Sequence, residues 1–130
     1  MKNFTIKTKV WLWMGIIIVL SFLPGSSFNS VSPFIFPHTD KLVHFFIYFI
    51  MCLLWLQFFK SLGIGKVSAI AYSLIISILF GMSMEFFQEV FTNKRTGEFW
   101  DFAANCLGAI TAVFSFSILN RNKLFRKIIS

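Results

Sequence analysis

Four long apolar runs, separated by short polar stretches, occupy most of this 130-residue chain. They lie near residues 10–28, 41–59, 67–90 and 100–119. A helix that crosses the hydrocarbon core of a bilayer needs about 20 mainly apolar residues, and each run is close to that length. Little chain is left for loops. The expectation is an all-α polytopic membrane protein, a four-helix transmembrane bundle with residues 1–130 as its single domain and no separate soluble module.

Composition supports the bilayer as solvent. The chain is 57% hydrophobic and 13% charged, against roughly 45–50% and about 25% in soluble domains. Its nineteen Phe residues are spread along the chain and cannot all hide in one small core. The formal net charge of +7 does not point to nucleic acid. The basic residues fall mainly at the two ends and in one short loop, and no basic face is interleaved with exposed aromatics. Cys52 and Cys106 both lie inside apolar runs, where lone thiols usually act as small packed residues.

The first run, Val10–Leu23, follows Lys2, Lys7 and Lys9 and precedes Pro24-Gly25-Ser26-Ser27. A secretory signal peptide has the same outline. Trp11 and Trp13 at one end and Phe22 and Phe28 at the other favour a retained anchor, because aromatics settle at membrane interfaces. Gly25–Thr39 is the longest connection, with an apolar patch (Val31, Phe34, Ile35, Phe36) suited to the interface. A helix start follows, with Thr39 or Asp40 as its cap.

In the second run Asp40, His44, Tyr48 and Cys52 recur every fourth residue and share one helix face. The third ends in Glu85, Gln88 and Glu89, spaced i, i+3, i+4 on one face. In the fourth, Asp101, Asn105, Gly108 and Ala112 line one face, whose small residues let another helix approach closely. The basic flanks set the orientation. Lys2, Lys7 and Lys9, then Lys60 and Lys66, then Arg121, Lys123, Arg126 and Lys127 all fall on one side of a four-pass topology. The positive-inside rule makes that side, and both termini, cytoplasmic. All five acids (Asp40, Glu85, Glu89, Glu98, Asp101) then gather at the other end, with His38, His44, Lys41 and Arg95.

An ionisable residue inside a membrane span is expensive and by default functional. Asp40 and Asp101 have a structural explanation, since a carboxylate at a helix N-terminus caps amides and suits the macrodipole. Glu85 and Glu89 sit near a helix C-terminus, where the dipole disfavours them. Glu85 is also on the order of 6–9 Å inward at 1.5 Å per residue. The expected partner of Glu85 is Arg95, whose planar fork holds a carboxylate bidentately. Either this end is a knot of buried ion pairs tying three helices together, or it is a polar pocket for a head group. The variety of titratable groups at one depth favours the pocket. Asp40 with His44 and Glu85 with Glu89 could converge on a divalent metal, but no His/Cys cluster demands one, and no cofactor is called for.

These residues also resemble a known family. DKLVHFFIY at Asp40–Tyr48, the Glu85-x-x-Gln88 pair and KRTGEFWDFAANCLGA at Lys94–Ala109 are similar to the VanZ-like family. The likeness covers roughly the last two thirds of the chain, and the first span fits the family's four-span layout. Asp40, Lys41, His44, Tyr48, Glu85, Gln88, Arg95, Asp101, Asn105 and Gly108 match its pattern. Ala112 stands where family members often carry a second small Gly, and Gly97-Glu98 replaces the apolar-acidic pair expected after Arg95-Thr96. The resemblance implies an integral membrane protein of a bacterium acting at the cell envelope. The family is named for a protein associated with resistance to the glycopeptide teicoplanin. It implies no particular reaction.

The leading expectation is therefore a protein of the bacterial cytoplasmic membrane whose extracytoplasmic pocket binds an anionic lipid or lipid-linked envelope precursor. Lys41 and Arg95 would hold the phosphate, and Asp40, Tyr48, Glu85, Gln88, Glu89, Asp101 and Asn105 would orient the head group. Two alternatives stay open. One is an enzyme transferring or hydrolysing a lipid head group, with Glu85 and His44 as its acid/base pair. The other is an assembly partner whose polar cluster serves only packing.

Overall fold

The computed structural model describes residues 2–22, 39–91 and 99–129. Their order is α1 (Lys2–Phe22), α2 (Thr39–Ser61), α3 (Lys66–Phe91), α4 (Phe99–Leu119) and a short α5 (Lys123–Ile129). The described residues form an all-helical protein, and α1 to α4 are long and apolar enough to cross a membrane. Helix α1 begins at Lys2 rather than near Val10, so the basic stretch Lys7–Lys9 is helical, and residues 23–28 lie outside the described residues. Most of the Gly25–Thr39 connection, with His38, and the loop carrying Lys94, Arg95, Gly97 and Glu98 also lie outside them. The short α5 was not anticipated from the sequence. Asn122 starts it, its Oδ1 accepting from the backbone N–H of Leu124 at 2.9 Å and of Phe125 at 3.4 Å, the usual service of an N-cap.

Helix α2 is the central element and packs against α1, α3 and α4. Met51, Cys52, Leu53, Leu54, Trp55 and Leu56 are buried in succession. A helix that is apolar and buried all round sits in the middle of its bundle. The turn out of α2 is closed by Gly63, at φ +75°. Its N–H donates to the Lys60 carbonyl and the next N–H, Ile64, to the Phe59 carbonyl. This is the Schellman arrangement, which needs a left-handed residue where glycine has stood.

The outward faces of the long helices are apolar instead of polar. Val19, Leu42, Phe46, Val67, Ile75, Leu79, Phe114 and Ile118 are all exposed. Large apolar patches of this extent are rare on soluble monomers and normal where lipid covers them. The helices alternate in direction. Gln88 near the end of α3 donates to the Ser21 carbonyl near the end of α1 (2.9 Å), while Lys9 near the start of α1 donates to the Ile128 carbonyl in α5 (2.8 Å). One end of the bundle therefore gathers the C-termini of α1 and α3 with the N-termini of α2 and α4.

The α2–α4 contact is close where Gly108 meets Phe45. A Cβ at Gly108 would run into the Phe45 carbonyl oxygen and stand 3.1 Å from the Phe49 nitrogen. Only a glycine permits this approach. Ala109 and Ala112 continue the small-residue face and are fully buried. The expected close-packing face of α4 is thus the one that meets α2.

Candidate functional site

Just beyond Gly108, toward the end where α2 and α4 begin, the same interface turns polar. Asn105 sits one turn before Gly108 and is 2% exposed. Its position on α4 aims it between α2 and α3. The Asn105 Oδ1 lies 3.0 Å from His44 Nδ1 on α2, and its Nδ2 donates to Glu85 Oε1 on α3 at a long 3.4 Å. One carboxamide thus links three helices.

The donor logic of this chain fixes the imidazole. A carboxylate accepts and does not donate, so the amide nitrogen must face Glu85 and the amide oxygen must face His44. An amide oxygen only accepts, so His44 Nδ1 carries the proton. In neutral His44 the lone pair is then on Nε2. That nitrogen points toward Asp101, whose Oδ2 is 3.9 Å away, beyond hydrogen-bond reach. Glu85 Oε1 is 3.7 Å from His44 Nδ1. The imidazole thus has a carboxylate from each of two neighbouring helices within 4 Å of its ring nitrogens.

Asp101 is the acid whose sequence explanation proves too modest. It lies in the first turn of α4, as capping requires, but it is 7% exposed and turned into the bundle. Its Oδ1 is 3.5 Å from Lys41 Nζ, and among the described residues that oxygen has no hydrogen-bond partner. Asp40 behaves as a helix-start carboxylate should. It is exposed and bonds the adjacent Lys41 at 3.1 Å. Lys41 therefore bridges the rim, Asp40, to the interior, Asp101.

The remaining candidates divide by face. Tyr48, one turn below His44, is 2% exposed. Its ring end shares with Asn105 Nδ2 the space in front of Gly81 (3.5 and 3.4 Å from a Cβ built there). Its hydroxyl has no hydrogen-bond partner among the described residues. Gln88 is buried but is committed to the Ser21 carbonyl, a tie to α1. Glu89 is exposed. Arg95, expected to hold Glu85, is outside the described residues. Among the described residues Glu85 lies against Asn105 and His44. The divalent-metal grouping changes as well: His44, Glu85 and Asp101 each offer one ligand atom, and these atoms lie within 4.8 Å of one another. Asp40 and Glu89 are not part of this set.

Sequence reasoning listed Asn105 without giving it a central place. An Asn mid-helix in an apolar segment carries a signal that could have found it. In lipid its four hydrogen-bonding positions need partners, and the two nearest helices supply two of them.

Compared with known proteins, the chain matches no family model, and no curated protein or solved structure is significantly similar to it.

Proposed function

We propose that this is a VanZ-like integral membrane protein of the bacterial cell envelope. In this reading its polar end faces the extracytoplasmic side and binds the anionic head group of a lipid or lipid-linked precursor. One observation carries the reading. Side chains from three helices — Lys41, His44, Glu85, Asp101 and Asn105 — meet at one end of a bundle whose long helices turn apolar faces outward. Charged groups at that depth are costly unless they are paired or used. A purely structural tie would be satisfied by Asn105 and its two bonds. It gives no reason to keep Lys41 a quarter exposed beside a buried Asp101. Lys41, and Arg95 from the sequence, are the groups suited to a phosphate. The basic residues at the opposite end favour a cytoplasmic location for both termini. A link to teicoplanin resistance follows only from the family likeness.

A second reading has its own observation. His44, flanked by Glu85 at 3.7 Å and Asp101 at 3.9 Å, is arranged for proton transfer, so head-group transfer or hydrolysis is the enzymatic version of the same site.

The test is lipid retention. Protein purified from cells in mild detergent should carry a bound anionic lipid or lipid-linked phosphate detectable by native mass spectrometry. Lys41→Gln should lower that occupancy about tenfold, the loss of one charge-assisted contact worth roughly 1.4 kcal/mol. Glu85→Gln should keep the lipid bound if the site only binds, and should accumulate uncleaved lipid in cells if it is an enzyme. Equal lipid content in wild type and Lys41→Gln would refute the head-group reading.

A further inference from the structure

We propose that His44, Glu85 and Asp101 form a binding site for one divalent transition-metal ion of the zinc type. Binding of the metal does not depend on the head-group reading. If that reading holds, a phosphate oxygen would take the ion's remaining position.

The donor set comes first. One imidazole and two carboxylates from three different helices present ligand atoms within 4.8 Å of one another. On a tetrahedral zinc, with bonds of about 2.0–2.2 Å, neighbouring ligand atoms stand about 3.3–3.5 Å apart. The 3.9 Å between His44 Nε2 and Asp101 Oδ2 is too long for a hydrogen bond. It closes to the coordination value with a shift of about 0.5 Å, within reach of side-chain torsions. Three protein ligands with one position left for water or substrate is the open form of a zinc site. Nitrogen and oxygen donors without sulfur also suit manganese.

The groups behind the donors are those a metal site needs. A ligating histidine has its other ring nitrogen fixed by a hydrogen bond, and ligating carboxylates are bonded in turn. Asn105 does both, holding His44 Nδ1 at 3.0 Å and Glu85 Oε1 at 3.4 Å. It leaves the Nε2 lone pair facing Asp101.

Two further polar groups point to an occupant. Asp101 is 7% exposed, and its Oδ1 has the Lys41 ammonium at 3.5 Å but no hydrogen bond among the described residues. The hydroxyl of Tyr48, a residue 2% exposed, has no hydrogen-bond partner among them either. Buried polar groups left this way are uncommon and call for a water or ion. A hydrated metal at this level would supply it.

The experiment uses the full-length chain in detergent, stripped with chelator and titrated with Co²⁺ as a visible stand-in for zinc, with no lipid added. Wild type should bind one Co²⁺ per chain and show ligand-field absorption that Zn²⁺ displaces. His44→Gln and Asp101→Asn should each weaken binding at least tenfold, and Asn105→Ala by about tenfold to a hundredfold. Glu89→Gln should bind as wild type does. Should the ligand variants misfold, X-ray absorption on the Zn²⁺-loaded wild type decides: one imidazole and oxygen ligands are expected. Folded wild type that binds no Co²⁺, or a spectrum showing sulfur or two imidazoles, would overturn the site. The metal titration reads ligand-field absorption and the lipid test reads retained mass, so a failure of the first would leave the lipid-retention result to stand or fall alone.

Discussion

The α2–α4 interface is built in two ways along its length. Around Gly108, Ala109 and Ala112 the helices meet through backbone and small apolar groups. One turn further toward the helix starts, the same two helices meet through Asn105, His44, Asp101 and Lys41. The first layer is held by fit. With lipid tails as apolar as the side chains, there is little hydrophobic drive between helices in a bilayer, and close packing takes its place. The second layer is held by directional contacts, chiefly those of Asn105 with His44 and Glu85. The fitted layer sets the distance between helices, and the bonded layer depends on that distance being right. A site made of atoms held within tenths of an ångström needs such a rigid floor.

The largest effect should come from breaking the floor. Gly108→Ala drives a methyl group into the Phe45 carbonyl, and backbone cannot yield as a side chain does. The expected cost is about 3 kcal/mol, the upper part of the overpacking range. It would be read as a lowered thermal midpoint in detergent, together with loss of metal and lipid binding. If Gly108→Ala lowered stability but left the polar layer's binding intact, the two layers would be independent.

Asn105→Leu attacks the bonded layer alone. It removes two hydrogen bonds and leaves His44 and Glu85 without that partner, for an expected loss of about 1–3 kcal/mol. Asn105→Asp keeps the acceptor for His44 but sets a carboxylate against Glu85, so it should recover little. Gly81→Ala should be the mildest. Its Cβ would meet the Tyr48 ring edge at 3.2 Å, and a side chain can turn aside, so the cost should stay below about 1 kcal/mol. A loss as large as that of Gly108→Ala would show that Tyr48 is locked in place.

The contrast also explains what could be read from the sequence. The fitted layer was legible because spacing alone defines it. Asp101, Asn105, Gly108 and Ala112 fall on one face of any helix, and small residues there imply close approach. Four spans followed from apolar length. The bonded layer was harder, because choosing between neighbours on one face requires knowing where the bundle's axis lies. Glu85 and Glu89 share one face in the sequence, with only depth to set Glu85 apart. One helical step of four residues turns about 40° and climbs about 6 Å. That is enough to leave Glu85 against Asn105 and Glu89 exposed. Asp40 and Asp101 were both legible as helix-start carboxylates. Only packing reveals that one faces outward and the other is buried beside Lys41 and His44. Gln88 reads as part of the site, and its bond to the Ser21 carbonyl on α1 was not legible, since nothing local records which helix covers it.

The central claim is that Asn105 holds His44 with its proton on Nδ1 and its lone pair turned toward Asp101. Nitrogen NMR of histidine-labelled, chelator-treated protein, taken at a pH where the ring is neutral, tests this directly, with His38→Gln assigning the remaining ring. The account predicts a protonated Nδ1 and an unprotonated Nε2 for His44, with that preference lost in Asn105→Leu. A His44 protonated on Nε2 alone, or one indifferent to Asn105, would contradict it.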